Sequence, residues 1–328
     1  MEIRGIVGCV PPRIVHNHDF LPLFTDADIS SVTRNTGVAE RRWCDDGVDA
    51  GDLCEKAADT LLDRLGWERE SVNLLVMVTQ TPRYRMPATA CELAHNLRLP
   101  NEVAAFDVSM ACSGYIYGLW LTLSLMRGGS SQRAILLSGD TVSRMTNKKD
   151  RATAMLFGDA GTATAIEWAG GMNSPNRSHF ILGTDGSKSS ALLCEHDGGI
   201  TMRGSDVFDF SQSIVPRLYG EIETLSGWTG YGRRDPEPPT VVFHQASKFI
   251  IERLVKKLKL PRNLAPINIE KFGNTSSASI PLVIADKLDE RMTLSDLPLT
   301  LLGFGAGLSY GAANILIPRN IVSGLVEY

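Results

Sequence analysis

The 328-residue sequence predicts an α/β protein of two similar halves, with mainly parallel sheets covered on both faces by helices. Three observations carry this. Short, uniformly apolar runs such as residues 73–79 and 133–140 alternate with stretches of helical periodicity. Residues 109–126 contain no charged side chain, which places a helix inside the protein. Each half holds a strand, a turn bearing one reactive side chain and a helix, a weak duplication without a residue-level repeat.

Taken in order, residues 1–11 read as an edge strand stopped at Pro11-Pro12, where a donor is missing and φ is fixed. Residues 52–65 place Leu53, Ala57, Leu61 and Leu65 on one helical face closed by Gly66. Residues 73–79 are too short and too apolar for anything but a buried strand. Residues 104–121 read as strand, tight turn and central helix, with Cys112 in the turn. Residues 133–140 give another strand, and 154–166 carry Leu156-Phe157-Gly158-Asp159, whose glycine lets backbones pack closely. Residues 170–178 turn to Gly, Asn, Ser and Pro and divide the chain into halves 1–171 and 172–328. The second half then supplies strands at 180–183 and 240–244, and helices at 247–258 and 279–288.

Composition bounds the function. With 43% hydrophobic and 21% charged residues the chain is an ordinary globular protein, and a net charge of −4 leaves no footprint for nucleic acid or an anionic membrane. The six cysteines (Cys9, Cys44, Cys54, Cys91, Cys112, Cys194) lack close pairs, so neither a zinc site nor a disulfide framework is expected. His16 and His18 have no further ligands nearby, and no metal is expected. The opening residues carry no charged-then-apolar leader, which points to the cytoplasm. The glycines of 303–307 lack the Lys-Ser/Thr of a phosphate-binding loop and suit close backbone approach instead.

Cys112, His244 and Asn274 each follow a strand or approach a turn, where functional residues of α/β folds gather. A cysteine at a helix N-terminus is expected to have a lowered thiol pKa and to act as a nucleophile. A histidine can exchange or donate a proton, and an amide can hold an oxyanion without competing as a base. Each also has a plainer reading: a small buried hydrophobe, a satisfied core histidine, a turn asparagine.

Five motifs occur in order: 107–114 around Cys112, Leu156-Phe157-Gly158-Asp159, His244-Gln245-Ala246, 273–281 around Asn274, and Gly303-Phe304-Gly305-Ala306-Gly307. Together they resemble ketoacyl synthase III over nearly the whole chain. The resemblance implies a thiolase-like, five-layered αβαβα fold acting as a homodimer without a permanently bound cofactor. It implies that Cys112 takes an acyl group from acyl-coenzyme A, that malonyl-acyl carrier protein then loses carbon dioxide, and that the enolate attacks the acyl group to give a 3-oxoacyl product. His244 and Asn274 would hold the enolate oxygen, and the N–H groups of Cys112 and Ala306 the tetrahedral oxyanion. Residues 79–90 contain no carboxylate for direct proton abstraction, in keeping with decarboxylation.

The resemblance also assigns Arg34, Thr36 and Arg151 to coenzyme A and Met86 to the partner subunit's acyl pocket; the basic residue that the family places after the histidine motif is shifted by one position here, and Lys248, Lys256 and Lys257 are expected to form the basic patch for an acidic carrier protein. Ile29-Ser30-Ser31-Val32 stands where an adenine-stacking tryptophan is usual, and residues 227–239 depart from the usual link into the histidine strand. These departures lean toward a specialised lipid or polyketide pathway. Two alternatives share the fold: transfer of the Cys112 acyl group to an oxygen or nitrogen nucleophile, and a partner subunit of a heteromeric synthase.

Overall fold

The computed structural model describes residues 2–128, 132–168, 178–195, 198–227, 239–288 and 296–328. In chain order the strands are β1 (Glu2–Val10), β2 (Ile14–His16), β3 (Glu40–Arg42), β4 (Leu74–Val78), β5 (Ala104–Val108), β6 (Arg133–Thr141), β7 (Asp159–Glu167), β8 (His179–Thr184), β9 (Leu192–Cys194), β10 (Ile200–Met202), β11 (Thr240–Phe243), β12 (Leu297–Gly305), β13 (Ser309–Ile317) and β14 (Val322–Glu327). The helices are α1 (Asp26–Thr36), α2 (Ala50–Leu65), α3 (Thr89–Asn96), α4 (Gly114–Gly128), α5 (Arg151–Ala154), α6 (Gly204–Ser226), α7 (Lys248–Lys257), α8 (Ile269–Phe272) and α9 (Ser279–Lys287).

Two large sheets form, ordered β14-β1-β7-β6-β4-β5 and β11-β12-β13-β8. Between them lie α4 and α9, whose Tyr115, Leu119, Ile280 and Ile284 pack with Val76 and Leu136 of one sheet and Leu299 and Leu301 of the other. On the far face of the first sheet, Leu53 and Leu61 of α2 and Leu93 of α3 cover Leu75 and Ile135. On the far face of the second, Leu218 of α6 and Leu254 of α7 cover Val241 and Leu302. The order is helix, sheet, helix, sheet, helix, the five-layered thiolase-like arrangement. At about 25 cal/mol per Å² of apolar surface removed from water, a helix layer buried on both sides is the largest stabilising element in such a stack.

Local chemistry sets the element ends. The Asp49 carboxylate accepts from the N–H groups of Gly51 and Asp52, so α2 begins two residues before the position read from periodicity. It ends at Gly66 in the left-handed region, φ 62°.

Two expectations need correction. The sheets are mixed rather than mainly parallel: β1–β7, β6–β7, β12–β13 and β13–β8 are antiparallel, while β4–β5, β4–β6, β1–β14 and β11–β12 are parallel. The short link from Gly305 to Ser309 allows only a reversal, not a helical crossover. β1 is not an edge strand either, because β14 pairs along it in parallel, Gly5 opposite Val322. Chain order and sheet membership therefore part at β14, which comes from the second half and joins the first sheet. The boundary at 171/172 and residues 228–238 of the divergent link lie outside the described residues.

Candidate active site

Cys112 sits in the turn between β5 and α4, two residues before the helix begins. It is 6% exposed, and the backbone N–H groups of Ala306 and Cys112 and the Ser276 side chain are the polar neighbours that favour its thiolate. Burial pushes the thiol up to about 12 and the nearby Asp140 carboxylate adds to the rise; those three donors act in the opposite direction without cancelling it. The expected lowering of the thiol pKa is therefore not found. A helix terminus favours an anion by about 1 kcal/mol, less than the cost of burying one. The close approach of the 303–307 turn is literal: a Cβ on Gly305 would stand 2.5 Å from Cys112 Cβ and 2.8 Å from its sulfur.

His244 follows β11 directly, and its N–H donates to the Leu302 carbonyl of β12 at 2.8 Å. The ring is buried, with Nδ1 2.7 Å from Ser279 Oγ and the Phe304 ring set edge-on at 5.7 Å and 85°. Burial lowers its pKa to about 3, so the imidazole is neutral at physiological pH.

Asn274 is held by the motif around Gly158. Asn274 N–H donates to Leu156 O at 2.9 Å, and Gly158 N–H to Asn274 O at 3.1 Å. The side-chain Oδ1 accepts from Ser276 N–H at 3.0 Å, so the NH2 group is the end presented to the cavity that Asn274 lines. Ser276 is in the left-handed region at φ 51°.

Cys112, His244, Asn274 and Phe304 line the buried end of one cavity of about 470 Å³. Its walls include Leu156, Phe157, Val207 and Ile250, and its mouth includes Asn35, Thr36, Asp209 and Phe249. The walls between the polar mouth and the reactive end are mostly apolar. Such a cavity suits an acyl chain and a thioester.

Thr36 lines the cavity. Arg34 is exposed on α1 and does not line it. Arg151 pairs with Asp28, while its neighbour Ala152 lines the wall. Lys248 pairs with Glu270, Lys257 donates to Gln212 O at 2.7 Å, and Lys256 is exposed. Met86 is 78% exposed and absent from its own chain's cavity.

Several residues escaped the sequence reading. Ser276 and Ser279 lie inside the motif around Asn274 but look like ordinary turn residues. Asp140 is fully buried at the end of β6: Oδ1 accepts from Gln80 N–H at 2.7 Å, and Oδ2 from Ser277 Oγ at 2.7 Å and Ser277 N–H at 3.1 Å. Its oxygens are taken up by the protein, so it braces the site rather than serving as a base. Its place at a strand's carboxyl end was the available signal.

Among known proteins, the model of the 3-oxoacyl-[acyl-carrier-protein] synthase III family matches residues 106–186, and the model of that family's C-terminal part matches 237–317. The chain is similar to beta-ketoacyl-[acyl-carrier-protein] synthase III 2 of Streptomyces coelicolor, 33% identical over 316 residues that cover 96% of this chain and 93% of the relative. It is 34% identical to beta-ketoacyl-[acyl-carrier-protein] synthase III 1 of Bacillus cereus, over 94% of this chain and 96% of that one. The crystal structure of a 3-oxoacyl-(acyl-carrier protein) synthase from Burkholderia xenovorans superposes with a TM-score of 0.94 at 37% identity, covering 100% of this chain and 97% of the other.

Proposed function

The chain belongs to the 3-oxoacyl-[acyl-carrier-protein] synthase III family of condensing acyltransferases, and from that premise we propose the step that each residue of the site performs. The reaction condenses the acyl group of acyl-coenzyme A with malonyl-acyl carrier protein, as in fatty acid biosynthesis. The observation that carries the assignment of roles is the convergence of Cys112, His244 and Asn274 on one apolar cavity.

Cys112 sulfur attacks the acyl thioester carbonyl. The N–H groups of Cys112 and Ala306 hold the oxyanion, and coenzyme A leaves with the thiol proton. Because burial keeps the thiol neutral, proton loss accompanies attack rather than preceding it. Malonyl thioester then enters, its carboxylate leaves as carbon dioxide, and the electron pair of the broken bond becomes an enolate. His244, as a neutral donor, and the Asn274 amide hold the enolate oxygen. The enolate carbon attacks the acyl carbonyl, and the Cys112 sulfur leaves and takes a proton from water, which regenerates the resting thiol. Transfer to an oxygen or nitrogen nucleophile needs no enolate site, so two donors built for one favour condensation.

Thr36 at the cavity mouth, with Arg34 and Arg151 beside it, takes the coenzyme A nucleotide, and Lys248, Lys256 and Lys257 face the carrier protein. Met86, projecting from its own subunit, enters the partner's acyl pocket in a homodimer. The setting is the cytoplasm, and the starter belongs to a fatty acid or a specialised lipid or polyketide.

Intact-protein mass spectrometry with a panel of acyl-coenzyme A thioesters tests the reading. Wild type should gain the acyl mass and Cys112→Ala should not, and malonyl-carrier protein should discharge the adduct with release of carbon dioxide. Discharge without carbon dioxide would replace condensation by simple acyl transfer.

A further inference from the structure

We propose that Ser279 is a positioning residue that holds His244 in the Nε2–H tautomer, so that the ring presents a hydrogen-bond donor rather than a lone pair to the cavity. This deepens the proposed role of His244 and rests on it for its consequence in catalysis, but the tautomer itself is a property of the free protein.

A neutral imidazole has one N–H and one lone pair, and the partner of one nitrogen decides what the other offers. Here the partner of Nδ1 is Ser279 Oγ, at 2.7 Å. Both residues are 1% exposed, so water does not settle the choice. A hydroxyl has one proton to give and two lone pairs. Ser279 Oγ also receives the Gln245 N–H, at 3.5 Å, a long contact but one that can only be a donor's. Among the described hydrogen bonds, Nδ1 is therefore the one group able to accept the hydroxyl proton. With Ser279 donating to Nδ1, each group is satisfied and the His244 proton resides on Nε2. In the opposite tautomer, Nδ1–H and Gln245 N–H both point at Oγ, and the hydroxyl proton is left without an acceptor in a buried site.

The surroundings keep this geometry fixed. Ser279 opens α9, in the buried helix layer. Gln245 is tied by its side chain: Nε2 donates to Phe243 O at 2.9 Å, and Oε1 accepts from Asn268 N–H at 3.2 Å. Phe304 stands edge-on to the imidazole and opposes a ring flip. The arrangement matters because an enolate oxygen needs a donor: a His244 lone pair in that direction would repel it.

The test is NMR of the full chain labelled with 15N-histidine, with two-bond proton–nitrogen correlations that distinguish protonated from unprotonated ring nitrogens, and His244 assigned by loss of its signals in His244→Gln. Wild type at pH 7 should show a protonated Nε2 and an unprotonated Nδ1. Ser279→Ala should lose that preference and populate Nδ1–H, whereas Ser279→Thr, which keeps the hydroxyl, should retain the wild-type pattern. Malonyl-carrier decarboxylation in Ser279→Ala should fall in kcat by on the order of ten-fold, less than the roughly 10²–10³ for outright loss of a transition-state donor, because His244 itself remains and still populates Nε2–H part of the time. KM for malonyl-carrier protein and the rate of Cys112 acylation should stay close to wild type. A protonated Nδ1 in wild type overturns the inference without any variant having to fold, as does an unchanged tautomer in folded Ser279→Ala. If wild type shows Nε2–H but releases no carbon dioxide from malonyl-carrier protein, the condensing role fails while the assignment of the tautomer stands.

Discussion

Cys112, the nucleophile in the proposed reaction, is kept as a thiol. A surface cysteine would be partly ionised near pH 8.5, but here burial and the Asp140 carboxylate outweigh the polar groups of Ala306, Ser276 and Cys112 and push the thiol up to about 12. Coupling deprotonation to attack protects the free site from alkylation and oxidation, both of which need the thiolate. The rate of Cys112 alkylation by iodoacetamide, followed by mass spectrometry, should therefore climb from pH 7 to pH 10 without levelling. A plateau near pH 8 would mean that the donors from Ala306, Cys112 and Ser276 prevail over burial. The sequence placed this cysteine correctly at the end of a strand and before a helix. Its ionisation was not legible, because Asp140, Ser276 and Ala306 reach the sulfur from three other segments.

At the scale of elements, the site is a joint between segments far apart in the chain. The turn holding Asn274 is bonded to the stretch from Leu156 to Gly158, and contact there is so close that a Cβ on Gly158 would lie 2.0 Å from the Phe272 carbonyl oxygen. Gly158→Ala must part the two backbones, at a cost of about 1–3 kcal/mol for forced overpacking. Urea unfolding should show that loss. The displacement falls on Asn274 and not on the Cys112 turn, so if Asn274 holds the enolate as proposed, decarboxylation of malonyl-carrier protein should drop by on the order of ten-fold, short of the roughly 10²–10³ for removing such a donor outright. Acylation of Cys112 should change little; equal loss in both half-reactions would place the joint's influence elsewhere. Apolar runs and glycine punctuation made most strands and helices readable. What they touch was not, since pairing is set by tertiary fit: Pro11-Pro12 suggested an edge for β1 because nothing nearby in sequence announces β14 as its neighbour.

Over the whole molecule, the five layers fix the buried end of the cavity and leave its mouth to surface charge. The ordered motifs carried the layers and the convergence of Cys112, His244 and Asn274 on one cavity, because they encode close approach and burial, which few side chains satisfy. Surface charge obeys no such restriction, and the structure shows Arg151 engaged by Asp28 and Lys248 by Glu270, while acidic Asp209 lines the cavity mouth. An acidic carrier protein would thus meet a Lys248 whose charge is largely compensated. Glu270→Gln removes the compensating carboxylate and adds one unit of positive charge to that face. Exposed pairs are worth about 0–1 kcal/mol, so KM for malonyl-carrier protein should fall by at most about five-fold at low ionic strength. The gain should fade toward 0.5 M salt, where the screening length is about 4–5 Å, while kcat remains at the wild-type value. Lys248→Ala in the same background should abolish the gain, since the added attraction acts through that ammonium. If Glu270→Gln leaves KM and its salt dependence unchanged, the carrier protein docks away from the start of α7, and the basic residues there are ordinary solvated surface.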